Sequence, residues 1–201
     1  ALGASSQGAH VVVADMNSAD ETMDIIKTRG GHATYVKVDV SDDASTRAMA
    51  EAAIKATGRI DGLINNAAYF REVKLTPFEE LSESEWDRIF QVNVKGIWLC
   101  CKAVMPAMRE RKRGSIINFS STAGWVGMPR KTHYTAAKAA LRALTKSIAL
   151  ETGPHGIRCN CLVPGSIETE LWVNYGHRMA KEQGITFEEW KEGALSKVPL
   201  R

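Results

Sequence analysis

Tyr134 and Lys138 stand four residues apart in Tyr134-Thr135-Ala136-Ala137-Lys138. At helical spacing i and i+4, both side chains lie on one face. A free tyrosine has a pKa near 10 and is a poor base at neutral pH. A neighbouring ammonium favours the phenolate by charge attraction. Such a tyrosine can take a proton from an alcohol or return one to a ketone. Taken alone, the same pattern also describes an ordinary surface pair. Ser121 lies thirteen residues before Tyr134, at the end of an apolar run. Its hydroxyl can hold a substrate oxygen as charge develops on it. Asn93 sits inside a long helical pattern, in Gln91-Val92-Asn93-Val94-Lys95-Gly96. Asparagine is unfavourable in a helix interior, which points to a tertiary role, whether functional or that of a buried polar residue satisfied by its neighbours.

These residues need elements to position them. Short β-branched apolar runs recur, each followed by a helical pattern. The runs are Val11–Ala14 ending at Asp15, Ala33–Val38 at Asp39, Gly62–Ile64 at Asn65-Asn66, Ser115–Phe119 at Ser120-Ser121 and Ile157–Val163 at Pro164-Gly165. Continuous apolar strands alternating with helices predict a parallel sheet covered on both faces. The helices are predicted at about 19–29, 44–57, 83–111, 134–152 and 168–192, the last one broken. Gly30-Gly31 and Gly153-Pro154 stop two of them. The fold class is therefore α/β, a doubly wound parallel sheet forming a single domain over residues 1–201. In such sheets, ligands bind outside the carboxyl ends of the strands. The polar strand ends could be plain turn residues. Five of them in register on one edge favour a nucleotide site.

The string Gly114-Ser115-Ile116-Ile117-Asn118-Phe119-Ser120-Ser121, followed by Tyr134 and Lys138, resembles the signature of the short-chain dehydrogenase/reductase family. So do Asn65-Asn66-Ala67-Ala68, Asn93, and Pro164-Gly165-Ser166-Ile167-Glu168-Thr169. The resemblance implies a hydride transfer between NAD and a secondary alcohol or its ketone. It implies that Tyr134 is the acid/base and that Lys138 lowers its pKa and binds the nicotinamide ribose. Ser121 would orient the substrate oxygen, and Asn93 would hold a water in a proton relay. On the cofactor side, a carboxylate at Asp15 can accept hydrogen bonds from adenosine ribose hydroxyls and would repel a 2′-phosphate. Met16 and Asn17 supply no cation for such a phosphate, so NAD is favoured over NADP. Asp39 and Val40 match positions flanking the adenine. Asn66, Ala67 and Ala68 match the segment beside the adenosine ribose. Pro164, Gly165, Ile167 and Thr169 match the segment around the nicotinamide amide.

Two features depart from the family pattern. Ala68 replaces a usual glycine. The family also opens with a strand, a glycine-rich turn and a helix, whereas ten residues precede Val11 here. A parallel crossover takes about a dozen residues or more. The expectation is that Ala1–Ser6 joins fragments of that strand and turn, with a break before Val11. Gly3 and Ser6 would then bind phosphate. The part after Arg201 is likewise expected to be incomplete.

The segment from about 170 to 197 is expected to be a substrate lid. It carries Trp172, Tyr175, His177, Met179, Phe187 and Trp190, of which Phe187 and Trp190 are read as packing residues. Trp125, Met128, Arg130, His133 and Arg71 are expected to line the pocket, which suits a small polyol, sugar or cyclic alcohol. Composition is ordinary for a globular protein, with 44% hydrophobic and 24% charged residues. No apolar run approaches the roughly 20 residues that cross a membrane, and no signal peptide is visible. The densest basic cluster, Arg109, Arg111, Lys112 and Arg113, reads as a solvated helix end and not as a nucleic-acid site. Cys100, Cys101, Cys159 and Cys161 lack zinc-type spacing and read as reduced thiols in a reducing compartment, which fits the cytoplasm. No metal ligand set is placed. By analogy with the family, a second apolar face on the helices at 83–111 and from Tyr134 pairs subunits into a homodimer or homotetramer. The rival readings are an NADP-dependent ketone reductase and a non-catalytic NAD-binding redox sensor.

Overall fold

The computed structural model describes residues 1–70 and 73–196; Arg71 and the last five residues lie outside the described part. The chain divides into two compact units, Ala1–Leu162 and Val163–Arg201.

In the first unit, every apolar run forms a strand. They are β1 (His10–Asp15), β2 (His32–Lys37), β3 (Gly62–Asn65), β4 (Gly114–Phe119) and β5 (Ile157–Leu162). All pairings are parallel. They form two sheets among the described residues, β1-β2 and β3-β4-β5, where one continuous sheet was expected. A shared core joins them: Val36 and Val38 from the β2 side and Leu63 from β3 pack with Met49 and Cys100. A larger cluster forms where Ile97, Cys101, Val104 and Met108 meet Ile116, Leu141, Ile157 and Cys159.

The opening residues overturn an expectation. Leu2–Ser5 form a helical turn, α1. The backbone is hydrogen-bonded without a break through this stretch, by Ser5 N to Ala1 O and Ser6 N to Leu2 O, both 3.0 Å. Gly8 N then donates to Ser5 O and Ala9 N to Ala4 O, with Gly8 at φ +82°. That is a helix end closed by a glycine in the left-handed region. Ser5 packs against Gly31, the residue before β2. Gly3 and Ser6 therefore lie at the amino edge of β1-β2, away from the carboxyl edge where dinucleotides bind. This placement differs from the one expected for a phosphate-binding turn.

The helices α2 (Asp20–Thr28), α3 (Asp43–Thr57) and α7 (Thr132–Thr152) fall where the pattern put them. The long helix expected at 83–111 is divided. Helix α4 (Glu83–Phe90) passes into a wide π turn, Gln91–Gly96, and continues as α5 (Ile97–Glu110). A short helix, α6 (Ala123–Val126), had no periodicity to announce it.

A buried polar chain crosses the second sheet. Asn65 Nδ2 donates to Asn118 Oδ1 at 2.9 Å, and Asn118 Nδ2 donates to Thr145 Oγ1 at 2.9 Å. Cys101 and Cys159 flank this pair. All four cysteines are free thiols; Cys161 is half-buried and the others are buried. Burial pushes Cys100 and Cys101 up to about 12 and Cys159 up to about 11. In the basic cluster, Arg109 pairs with Glu151 and Arg111 with Asp61. Among the described residues, no helix is long and apolar enough to cross a membrane.

The second unit is a helical hairpin, α8 (Glu170–Gln183) and α9 (Phe187–Leu195). Thr169 caps α8 by accepting from Trp172 N. Thr186 and Glu189 form a capping box on α9. Trp172, Tyr175, His177 and Phe187 pack with Trp190 as one aromatic cluster. Gly176 lies so close to Trp190 and Phe187 that a Cβ would overlap them. Most of the segment's large aromatics thus fill this hairpin's own interior.

The Asn118 chain yields a stability prediction. Asn118→Ala leaves Asn65 and Thr145 each short of a partner, at about 1–3 kcal/mol per orphaned group. The urea midpoint should fall accordingly, with far-ultraviolet circular dichroism at zero denaturant unchanged.

Candidate active site

Four elements converge on the carboxyl end of β4. The strand ends at Phe119 and delivers Ser120 and Ser121. The two serines divide the work. Ser120 is buried; its hydroxyl donates to Lys138 O at 2.6 Å, and its N–H donates to Leu162 O at 2.8 Å. It ties β4 to α7 and to the end of β5. Ser121 is half-buried, its Oγ accepts from Ala123 N, and its hydroxyl acts on the Tyr134 phenol in the sense that lowers the phenol's pKa.

Tyr134 and Lys138 lie one turn apart on α7, and both are buried. Helix α6 packs against α7 with backbone on backbone. A Cβ on Gly124 would come within 2.6 Å of Ala139 N, so only glycine allows this approach. Ser121 is thereby held against the turn that carries Tyr134 and Lys138.

The electrostatics differ from the expectation in one respect. Burial pushes the Tyr134 phenol up, and Ser121 only partly opposes this. The net direction is upward although Lys138 stands one turn away. The Lys138 ammonium donates to Phe119 O at 2.8 Å and lies 5.8 Å from the Tyr134 ring centre. Lys138 itself is 3% exposed. Its burial lowers its own pKa to about 8, with Cys161 opposing the shift.

Asn93 lies in the π turn and is fully buried. Its Oδ1 accepts from Tyr69 N at 2.7 Å and its Nδ2 donates to Tyr69 O at 3.0 Å. Its side chain therefore braces the stretch after Asn66-Ala67-Ala68. Phe70, next in line, packs its ring 4.7 Å from the Tyr134 ring. The same π turn reaches the other expected cofactor loop. Gln91 Nε2 donates to Ser41 O at 2.9 Å, and a Cβ on Gly96 would press on Val40.

The remaining expected cofactor residues of the first unit occupy carboxyl ends of strands. Asp15 ends β1 exposed, with one carboxylate oxygen accepting from Asn17 N at 2.9 Å. Asp39 follows β2. The hydroxyl and backbone N–H of Ser41 donate to it and hold its carboxyl below the usual range. Asn66, Ala67 and Ala68 follow β3 and are exposed. Pro164, Gly165, Ile167 and Thr169 fall in the second unit, in the stretch before α8.

The pocket residues proposed from sequence separate. Trp125 is exposed and stacked 3.7 Å from the Arg142 guanidinium. His133 is 1% exposed, with neither ring nitrogen hydrogen-bonded, and burial lowers its pKa. It does not line an open pocket. Sequence reading missed Ser120, Gly124, Phe70 and Lys131, since their roles arise only from contacts between elements.

Lys138 supplies a pH prediction. Its folded pKa is about 8, below the unfolded value. The unfolded chain then binds the extra proton between about 8 and the ordinary lysine range, so stability rises with pH across that window. Lys138→Met removes the group. The stability of Lys138→Met relative to the parent, measured by urea unfolding, should be greatest below pH 8 and should shrink as pH rises towards 10.

The short chain dehydrogenase family model matches residues 1–180. The chain is 37% identical over 196 residues to galactitol 2-dehydrogenase of Agrobacterium fabrum, covering 97% of this chain and 75% of that protein. It is 35% identical over 167 residues to cyclopentanol dehydrogenase of Comamonas testosteroni, covering 82% and 66%. The crystal structure of NAD+-bound xylitol dehydrogenase superposes with a TM-score of 0.91 at 26% identity, covering 99% of this chain and 78% of that one. The chain spans about two thirds to three quarters of the length of these curated relatives. With a serine, a tyrosine and a lysine gathered at the carboxyl end of a parallel strand and the family model matched across most of its length, this chain belongs to the short-chain dehydrogenase family.

Proposed function

We propose that this protein is an NAD-dependent dehydrogenase that moves a hydride between the nicotinamide ring and a secondary alcohol or its ketone. The observation that carries this reading is the buried Tyr134 with Lys138 one turn behind it, on a helix to which the Ser120-Ser121 end of β4 is tied by the Ser120 hydrogen bond to Lys138 O.

The residues present fit part of the cofactor. Asp15 offers a free carboxylate oxygen at the carboxyl end of β1, which suits adenosine ribose hydroxyls and disfavours a 2′-phosphate. Asp39 and Val40 would flank the adenine. Asn66, Ala67 and Ala68 would lie beside the ribose. Pro164, Gly165, Ile167 and Thr169 would face the nicotinamide amide, and Tyr134 and Lys138 the nicotinamide ribose. Gly3 and Ser6 do not fit the pyrophosphate, being at the opposite edge. When bound, NAD supplies the hydride acceptor.

The chain's own residues handle the proton. In alcohol oxidation, the carbinol C–H bond breaks with its electron pair and the O–H proton passes to Tyr134 Oη. Ser121 holds the substrate oxygen while charge builds on it. Burial makes the phenolate costly, so Tyr134 is better suited to donate than to accept near neutral pH. The Lys138 ammonium favours the anion electrostatically whenever it is protonated. Asn93 braces Tyr69 through one hydrogen bond at each side-chain group, which leaves one amide N–H and one lone pair with which it would hold the relay water.

The aromatic and polar residues, together with relatives named for galactitol, cyclopentanol and xylitol, favour a small polyol, sugar or cyclic alcohol. A homodimer or homotetramer would cover the exposed Trp86, Trp98 and Leu150 of α4, α5 and α7. Free thiols suit the cytoplasm.

Nicotinamide absorbance should be followed with NAD or NADP and a panel of polyols, sugars and cyclic alcohols. NAD should support turnover better than NADP. Tyr134→Phe should cut kcat/KM by about 10²–10⁴-fold while NADH still binds. Asp15→Ala should raise KM for NAD and narrow its advantage over NADP. NADH binding without turnover on any alcohol would favour a redox sensor. Undiminished turnover in Tyr134→Phe would sink the proton-transfer role.

A further inference from the structure

We propose that Phe70 is a positioning residue for Tyr134, holding the phenol ring in the orientation that aims its hydroxyl at Ser121 and the reacting oxygen. The proposal rests on the reading that Tyr134 handles the proton.

The ring of Phe70 lies 4.7 Å from that of Tyr134 at an interplanar angle of 51°. This tilted contact is a favoured aromatic arrangement and so restricts ring rotation. Phe70 can serve as a fixed wall only if it is fixed itself, and it is held from two directions. Its predecessor Tyr69 is gripped by Asn93 through both backbone groups, at 2.7 and 3.0 Å. The Arg88 guanidinium lies 5.7 Å from the Tyr69 ring centre, which fastens the same stretch to α4. On the other side, the Lys131 ammonium lies 4.3 Å from the Phe70 ring centre. A cation at that distance from an aromatic face is attracted by the ring quadrupole, more strongly when desolvated. Lys131 is 1% exposed and is the residue from which α7 starts. The helix that carries Tyr134 thus also carries the cation that presses on Phe70.

The rest of the Tyr134 surroundings leaves this wall a distinct task. Val73, Ile89, Ala123 and Ala137 share the buried cluster with Tyr134, and Tyr69, Phe90 and Met128 pack against its outside; the aliphatic members exclude water and do little to set a rotation angle. Ser121 acts on the hydroxyl at the ring's far end. Phe70 is the aromatic partner that meets the ring itself among the described residues. It also helps keep water from the phenol, so its loss should let the phenolate form at lower pH. The titratable groups around Tyr134 are Lys138 on its own helix, with Cys161 acting on Lys138, and Lys131 and His133 at the start of α7, with Glu85 of α4 acting on His133.

The test compares Phe70→Tyr, Phe70→Leu and Phe70→Ala in the full chain, beside the parent and Tyr134→Phe. Turnover is measured with NAD and the panel alcohol of highest turnover. Phe70→Ala should lower kcat by about 10–100-fold, the range that follows from misplacing a reacting group, with KM for NAD unchanged. Phe70→Leu keeps the apolar volume and should fall between. Phe70→Tyr keeps the ring and should stay near the parent. The limb of the kcat/KM profile that rises with pH should move to lower pH in Phe70→Ala. Ultraviolet titration of tyrosinate, after subtraction of the Tyr134→Phe signal, should show the same movement and needs no turnover. The proposal fails if kcat and the tyrosinate midpoint of Phe70→Leu and Phe70→Ala coincide with the parent. It fails equally if Phe70→Tyr loses as much activity as Phe70→Ala, for then the ring contact is not what matters. If Tyr134→Phe keeps full turnover, it is the proton-transfer reading that falls. If Tyr134→Phe is inactive while the Phe70 variants are normal, this proposal falls alone.

Discussion

The π turn at Gln91–Gly96 holds two loops in place at once. A normal helix continuing from Phe90 would place its side chains at the usual angular steps. The wider turn puts Asn93 inward, fully buried, where both its polar groups meet Tyr69. Gln91 holds Ser41, and Gly96 makes room for Val40. The stretches after β2 and β3 are therefore braced by one irregular piece of helix. Wide turns of this kind are uncommon and are often found at functional sites. Their cost is repaid here by satisfied buried polar groups.

The reacting end depends on a balance between burial and charge. Taking Tyr134 and Lys138 out of water disfavours the ionised form of each, raising one pKa and lowering the other. The two shifts oppose the simple picture of an ammonium making an acidic phenol. They carry the two titration ranges apart, the phenol's upward and the ammonium's down to about 8, so near neutral pH the phenol holds its proton. Ser120 and Gly124 fix the frame, one by a hydrogen bond to Lys138 O and the other by having no side chain. Ser121 is then free to meet the phenol.

Much of the fold was legible because its signals are local. Each of the five apolar runs became a strand within one or two residues of its expected bounds, since a strand buried on both faces needs continuous β-branched residues. Helices α2, α3 and α7 were equally plain. The π turn was not, because its residues keep an ordinary helical pattern and only the asparagine hinted at a tertiary demand. The expectation for Ala1–Ser6 rested on fragments of a family motif and not on a local pattern. A helix end closed at Gly8 explains them with local hydrogen bonds alone.

The sequence by itself determined the strand and helix order, the placing of polar residues at strand ends, and the i, i+4 pairing of Tyr134 with Lys138. These follow from periodicity and residue type, which act over a few positions. Tertiary structure alone decided that the strands form two hydrogen-bonded sheets, that Asn93 braces Tyr69 with its amide, and that Ser120 anchors while Ser121 reaches the phenol. It alone brought Phe70 and Lys131, 61 residues apart in sequence, against the same ring system. It also set the direction of each pKa shift. Burial and close approach depend on which distant elements meet, and no local pattern encodes those distances.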